Sequence, residues 1–453
     1  MKRVLILAYY FPPIAASGSL RPLGFCQHLE KCGYIPHIVS TDPKDAHPPV
    51  NQDSDLLEHV PGSVRVDRLS HPNRLKQLLE LRDRIMGSVK KGGKATAHKR
   101  MAPVSQQSAS QPGWLSSAKE AILNRIFLFP DHQKPWIKAV EKYVARLPDN
   151  EKPDIVFATG NPWSGLVAGM RVAKKLGVPF VADFRDPWTR NPKPAPSETL
   201  HKLSCKLEKQ VVKAADLIIA NTEQLRQQFI SDYPEIADKV EVVTNGYSEH
   251  LLELLQQVPE VDISLPFELC HFGSVYELRK PDLLLEALNK LVEEGRIEAG
   301  QLRLRFIGHW GVEDTDCNNR VKVLEEAGFL SREPALNHAD YLRAMKQSQY
   351  LLILQQDFPL QIPGKLYEYI ATGRPIVMVG GQGATADLIK QHHLGVTVDN
   401  TFDALTEFLL NFAKGECQAT PPTAEAIEQF GYARLSARLS GLFDRLTADN
   451  VAS

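Results

Sequence analysis

The chain carries an unbroken apolar run at residues 4–11 that ends in Pro12-Pro13. A run of that length suits a strand buried on both faces of a parallel sheet. Residues 12–19 read as a loop of small residues, and 20–31 as a helix stopped by Gly33. Pro22 fits the first turn of that helix. Residues 34–40 form a second predicted strand, so the opening is β-loop-α-β, the start of a doubly wound α/β domain. The alternation resumes with strands at 154–158, 179–183, 217–220 and 240–243, separated by helices at 164–176, 203–214 and 222–231. A second alternation begins at 268–273. Its strands fall at 302–307, 350–354 and 376–379, and its helices at 282–294, 319–327, 338–347, 364–372 and 384–391. Residues 248–266 lack a strand pattern, contain Pro259 and Pro266, and read as a linker. Apolar residues at helical spacing from Ile427 to Leu446 predict one amphipathic helix or a helix pair.

The fold class is therefore α/β, with two doubly wound Rossmann-like domains at 1–248 and 267–423, a linker at 249–266 and helix at 424–448. The length agrees: 453 residues make two or three domains of ordinary size. Lys plus Arg is 53 and Asp plus Glu is 54, a net charge of −1, which argues against a nucleic-acid binder. No stretch reaches the ~18–20 apolar residues of a membrane span. The run at 4–11 is too short for a secretory signal. The expected setting is the cytoplasm, with the inner face of the cell membrane as a second setting. Cys26, Cys32, Cys205, Cys270, Cys317 and Cys417 form no Cys-x-x-Cys and no zinc-type spacing, so free thiols are expected.

Candidate chemistry collects at strand-to-helix junctions, where open parallel sheets bind ligands. The first junction, Pro12 to Arg21, holds Gly18, Ser19 and Arg21. Its small residues admit a ligand to the backbone, and a following helix N-terminus favours an anion. The spacing is not Gly-x-Gly-x-x-Gly, so no nicotinamide site is indicated; a plain βα loop is the competing reading. Asn161 ends one strand, and Asp183-Phe184-Arg185-Asp186-Pro187-Trp188 ends another. Charges there are costly unless used or paired, and pairing within the segment is the alternative. In the second half, Gly273-Ser274 leads to Arg279-Lys280, a pair able to neutralise a diphosphate or simply to be solvated. Gly308 ends the next strand. Pro363-Gly364-Lys365-Leu366-Tyr367-Glu368 starts a helix whose N–H groups and dipole suit phosphate oxygens. Lys365 adds a charge there, and Glu368, one turn on, suits two ribose hydroxyls. A surface pair between Lys365 and Glu368 is the plainer reading.

These residues, in this order, resemble the retaining glycosyltransferases of family 4. The resemblance implies the two-domain GT-B fold, with a cleft between the domains and a C-terminal helix that returns toward the N-terminal domain. It further implies a nucleoside diphosphate sugar as donor substrate, no cofactor and no metal. Glu368 matches the second Glu of the family's Glu-x7-Glu element, which binds the nucleotide ribose. Leu360 stands at the first, with Gln361 and Asp357 beside it. Ser274 stands where the family has the Arg of a diphosphate-binding pair, and Arg279 at its Lys partner. Arg185 stands where a His is common. The implied site therefore comprises Arg279, Lys280, Lys365, Arg185 and Asp186 for the chemistry. Gly273, Ser274, Gly308, Gln361, Pro363, Gly364, Leu366 and Glu368 would hold the donor, and Gly18, Ser19, Arg21, Asn161 and Asp183 would line the acceptor side.

The implied reaction moves a hexosyl unit, with retention, to a saccharide or lipid-linked hydroxyl, in bacterial surface polysaccharide or lipopolysaccharide synthesis. A non-catalytic GT-B partner subunit, a nucleotide-sugar epimerase or a glycogen-type synthase are the alternatives. Residues 82–100 carry seven Lys/Arg and one acid, and Trp114 with Ile122 to Phe129 follows. That combination suits contact with an anionic membrane surface, or a polar insert followed by an ordinary core helix.

Overall fold

The apolar runs become the central strands of two parallel sheets in the computed structural model, which describes residues 1–46, 50–72, 129–192, 197–260, 262 and 264–448. The basic segment 82–128 lies outside the described residues. The first sheet holds β1 (Lys2–Leu7), β2 (Tyr34–Thr41), β3 (Arg65–Leu69), β4 (Ile155–Gly160), β5 (Phe180–Phe184), β6 (Leu217–Ala220) and β7 (Val240–Val242). Their order is β3-β2-β1-β4-β5-β6-β7, all parallel. In the second domain come β8 (Phe267–Phe272), β9 (Val275–Tyr276), β10 (Leu302–Ile307), β11 (Trp310–Gly311), β12 (Leu330–Glu333), β13 (Tyr350–Gln355), β14 (Ile376–Gly380) and β15 (Gly395–Asp399). Its sheet runs β12-β10-β8-β13-β14-β15, while β9 and β11 pair separately. Both sheets thus reverse direction beside their first strand, between β1 and β4 and between β8 and β13. A crevice opens at the carboxyl ends of such strands.

Alternation along β1 divides the first core. Leu5 and Leu7 pack on one face with Trp136, Val140 and Val156; Val4 and Ile6 pack on the other. That second face is closed by the helix Tyr432–Ala448 through Leu435, Leu439, Leu442 and Phe443. Tyr432 lies directly over Gly24, where any side chain would collide with its ring. The C-terminal helix therefore returns to the first domain, as the GT-B fold requires.

The structure departs from the expected elements at several points. The first helix spans Ser17–His28, three residues earlier than its apolar pattern. Ala16 is its extended N-cap, and the Ser19 hydroxyl donates to Ile14 O at 2.6 Å, drawing the small residues into the first turn. Pro22 then sits in the second turn and offers no N–H to the Gly18 carbonyl. The first half of the supposed linker is a helix, Glu249–Gln256, with the Ser248 hydroxyl accepting from Leu251 N–H. Its Leu251, Leu252, Leu254 and Leu255 cover the second domain's core. At the C-terminal end the second of the two expected forms is found, a helix pair, Ala424–Glu428 and Tyr432–Ala448, with Gly431 between them. The strands β3, β12 and β15 and the helices Lys134–Val144 and Phe402–Ala413 have no counterpart in the predicted pattern.

Candidate functional site

At the end of β8 the chain turns through Gly273, whose φ is +110°. A Cβ there would lie 2.8 Å from Lys365 Nζ. Gly308, φ +140°, ends the neighbouring β10, and a Cβ there would meet Gly273 O at 2.5 Å. Only glycines allow this approach. Across the reversal point, the chain after β13 leads through Pro363 and Gly364 into the helix Lys365–Thr372. The amides of Leu366 and Tyr367 donate to Pro363 O and Gly364 O. Those of Gly364 and Lys365 have no acceptor among the described residues. Leu366 itself is buried and serves the core.

Lys365 lies inward, with Nζ 2.6 Å from Phe272 O and 3.3 Å from His271 Nε2. Burial, with Arg279 nearby, lowers its pKa to about 8, and Glu368 works in the opposite sense. Glu368 does not pair with it. The Glu368 Oε2 accepts from the Tyr341 hydroxyl at 2.6 Å, which fixes the carboxylate one turn into the helix. The Arg279 guanidinium lies over the Phe358 ring at 4.9 Å and the Tyr276 ring at 5.8 Å. Its Nε is buried without a hydrogen-bond partner, and burial pulls its pKa down. Two cations are thus held beside two free amides, and the one carboxylate in the group already accepts a tyrosine hydroxyl. Such a group suits an anion with several oxygens.

Lys280 does not join it. Its Nζ lies 2.7 Å from Asp314 and 3.4 Å from Asp282, with Glu277 at 4.0 Å. Its pKa is raised, chiefly by Asp314. The turn Glu277–Arg279 is a 3₁₀ turn, in which successive side chains diverge by about a third of a circle. The expected basic pair is therefore split, Arg279 facing the site and Lys280 an acidic cluster. Ser274 is exposed beside the site.

On the first domain, Arg21 and Asp183 are committed to each other. Arg21 Nε lies 2.9 Å from Asp183 Oδ2 and its second terminal nitrogen 2.7 Å from Oδ1. The same guanidinium donates to Thr244 O at 2.6 Å and Val243 O at 2.9 Å. Arg21 is 2% exposed and Asp183 not at all. Burial opposes the charge on Arg21, but Asp183 more than offsets it and the pKa rises. These two are a buried clamp and do not line the cleft; Ser19, buried on Ile14 O, is also structural. Arg185 packs over Gly18 and donates to Asn161 O, with its Nε unpartnered. Gly18, Asn161 and Arg185 thus form one corner. Trp163 and Trp188 stack beside it with ring centroids 5.0 Å apart and planes 4° apart.

The two domains touch through this corner. Gln361 Nε2 donates to Asp186 Oδ1 at 2.8 Å, and the Thr222 hydroxyl donates to Leu360 O at 2.9 Å. Burial raises the pKa of Asp186. Gln361, expected to hold the donor, and its neighbour Leu360 are held by the opposite domain.

Comparison with known proteins agrees with this architecture. Residues 109–250 match the family model described as Glycosyltransferase Family 4. D-inositol 3-phosphate glycosyltransferase 1 of Catenulispora acidiphila is 28% identical over 207 residues, 42% of this chain and 48% of that protein. D-inositol 3-phosphate glycosyltransferase of Gordonia bronchialis is 31% identical over 106 residues, 22% of this chain and 23% of that protein. The chain thus matches about half the length of the first and a quarter of the second. Over residues 109–250 the chain is similar to glycosyltransferase family 4. Among solved structures, HepE of Anabaena, in complex with UDP and glucose, covers 98% of this chain and 100% of its own. Its TM-score is 0.57 at 12% identity. Sucrose-phosphate synthase from Thermosynechococcus elongatus has a TM-score of 0.59 at 13% identity, covering 99% and 100%. These likenesses show the GT-B fold.

Two residues of the site carry no signal in the sequence. Tyr341 lies in the helix His338–Lys346, where its aromatic side chain fits an apolar stripe. His271 sits in β8 between Cys270 and Phe272 and reads as a core position. No spacing signal marks either, because their partners lie 27 and 94 residues away. Among the described residues, no helix is long and apolar enough to cross a membrane.

Proposed function

We propose that this chain transfers a hexosyl unit from a nucleoside diphosphate sugar to a hydroxyl acceptor, with retention of configuration. The observation that carries this is the group of Arg279, Lys365 and the Tyr341-held Glu368 at the reversal point of the second sheet. Arg279, Lys365 and the free amides of Gly364 and Lys365 would take the diphosphate, and Glu368 the ribose. With its pKa near 8, Lys365 is mostly an ammonium at neutral pH, and a bound anion raises that fraction further. Charge that grows on the departing diphosphate is met by donors already in place, the usual source of rate enhancement in such chemistry. The curated relatives are glycosyltransferases by name, and HepE is solved with UDP and glucose, which supports the donor class. The acceptor would enter over Gly18, Asn161 and Arg185. A surface saccharide or lipid-linked acceptor, with synthesis at the inner face of the membrane, belongs to the same proposal.

A thermal-shift screen of UDP, GDP, ADP and CDP sugars tests the donor, because ligands of the folded state raise its stability. Lys365→Ala and Glu368→Ala should each abolish most turnover with the donor so found while keeping the parent melting profile. Full activity in both would exclude this site. The contacts of Leu360 and Gln361 with the first domain favour one second reading, a non-catalytic nucleotide-binding subunit. Binding without transfer or hydrolysis across donors and acceptors would establish that reading instead.

A further inference from the structure

We propose that His271 is a positioning residue that aims the Lys365 ammonium at the anion site. This rests on the reading of Lys365 as a ligand of the donor diphosphate. His271 lies in β8 between β10 and β13 and is 2% exposed. A polar ring in that place is costly unless both nitrogens are used. Nδ1 lies 3.0 Å from Leu352 O, which can only accept, so Nδ1 carries the hydrogen. Nε2 then presents a lone pair, 3.3 Å from Lys365 Nζ, which can only donate. Both neighbours select the same neutral tautomer. The Phe306 ring, 6.0 Å away centroid to centroid, packs on the imidazole.

An ammonium has three hydrogens. One goes to Phe272 O and one to His271 Nε2, and these two bonds fix the direction of the third. The space beside Nζ is the quadrant over Gly273 that a Cβ would fill. The charged and titratable groups bearing on Lys365 are Arg279 from the 3₁₀ turn, Glu368 from its own helix and His271 from β8. Tyr341 and Tyr369 stand behind Glu368. Burial, then Lys365 and Arg279, hold His271 neutral, so it acts as an acceptor. Without it, the ammonium keeps Phe272 O alone and turns more freely about that one bond.

Two substitutions separate positioning from packing. His271→Gln reaches Lys365 as an acceptor but loses Leu352 O. His271→Asn reaches Leu352 O but is too short for Lys365. The readouts are the pH dependence of Lys365 labelling by an amine-reactive reagent in the free protein, and the affinity for inorganic pyrophosphate. In His271→Asn, Lys365 should become reactive at lower pH, and pyrophosphate affinity near pH 8 should fall about tenfold, as loss of a charged hydrogen bond implies. His271→Gln should restore both to within about twofold of the parent. Rescue by Asn and not by Gln, or parent behaviour in both, would overturn the proposal. If neither variant folds, nitrogen NMR of the parent decides: His271 should stay neutral with its proton on Nδ1 from about pH 5 to 8. A charged ring or the opposite tautomer overturns the proposal. Lys365→Ala keeps the two questions apart. Parent-like pyrophosphate binding in that variant removes the donor-site reading, while the labelling result still judges His271.

Discussion

Asp183→Ala should destabilise the first domain without touching the donor site. The Arg21 guanidinium it pairs with is 2% exposed and cannot shed its proton, so truncation leaves a full charge buried without its carboxylate. Its bonds to Thr244 O and Val243 O survive, but neither acceptor carries charge. Removing one partner of such a pair costs about 3–5 kcal/mol. For a domain near this size, that corresponds to a fall of roughly 6–20 °C in the melting transition. The two domains need not melt together, so scanning calorimetry should show the lower transition moving and the other holding. Urea unfolding followed by tryptophan fluorescence, to which Trp136, Trp163 and Trp188 of the first domain contribute, gives the free energy. Adding Arg21→Met removes the stranded charge and should recover at least ~1 kcal/mol. A loss under ~1 kcal/mol in Asp183→Ala, together with a defect in acceptor use at parent stability, would refute the clamp and return both residues to the acceptor side.

Tyr341→Phe removes the hydroxyl on Glu368 and should weaken UDP binding about fivefold in calorimetry; pyrophosphate, which has no ribose, should bind as in the parent. Gly308→Ala drives a Cβ into Gly273 O and forces a left-handed position on a side chain. It should cost about 1–3 kcal/mol and abolish pyrophosphate binding, seen together in a thermal-shift titration. Burial raises the Asp186 pKa, so the folded state holds its proton more tightly than the unfolded chain. Stability from this group therefore falls as pH rises from the ordinary carboxyl range through the folded value. Asp186→Asn should flatten the decline in melting temperature across that window, and an unchanged slope would show that Asp186 does not contribute.

The architecture was legible where one residue's neighbours in sequence decide its fate. The runs at 4–11 and 350–354 could only be central strands. Edge strands such as β3 and β12 were not, because Arg65-Val66-Asp67-Arg68-Leu69 and Leu330-Ser331-Arg332-Glu333 are short and mostly polar, with no face that is apolar throughout. Within the site, Lys365 and Glu368 stood out because a Gly-led helix start has few other uses. Arg279 and Lys280 looked alike until Asp314, 34 residues on, claimed the second. The clamp was invisible for the same reason, since Arg21 and Asp183 are 162 residues apart. Sequence spacing reports on turns and helix faces, while the fate of a charge is set by whatever the fold brings from a distance.

The helix Tyr432–Ala448 has a consequence for how the chain is made. Val4 and Ile6 wait for Leu435, Leu439 and Phe443 to cover them. On the ribosome, the first strand is synthesised more than four hundred residues before its cover, with the whole second domain in between. The first domain must therefore emerge with part of that apolar face uncovered, Leu23 and Phe25 of the first helix and Leu29 at its C-cap covering the rest, until the helix Tyr432–Ala448 is made. Such a nascent chain is exposed to association through that face while the second domain is synthesised. The helix acts as a late seal, so its loss would cost solubility during synthesis before any effect on the cleft could be seen.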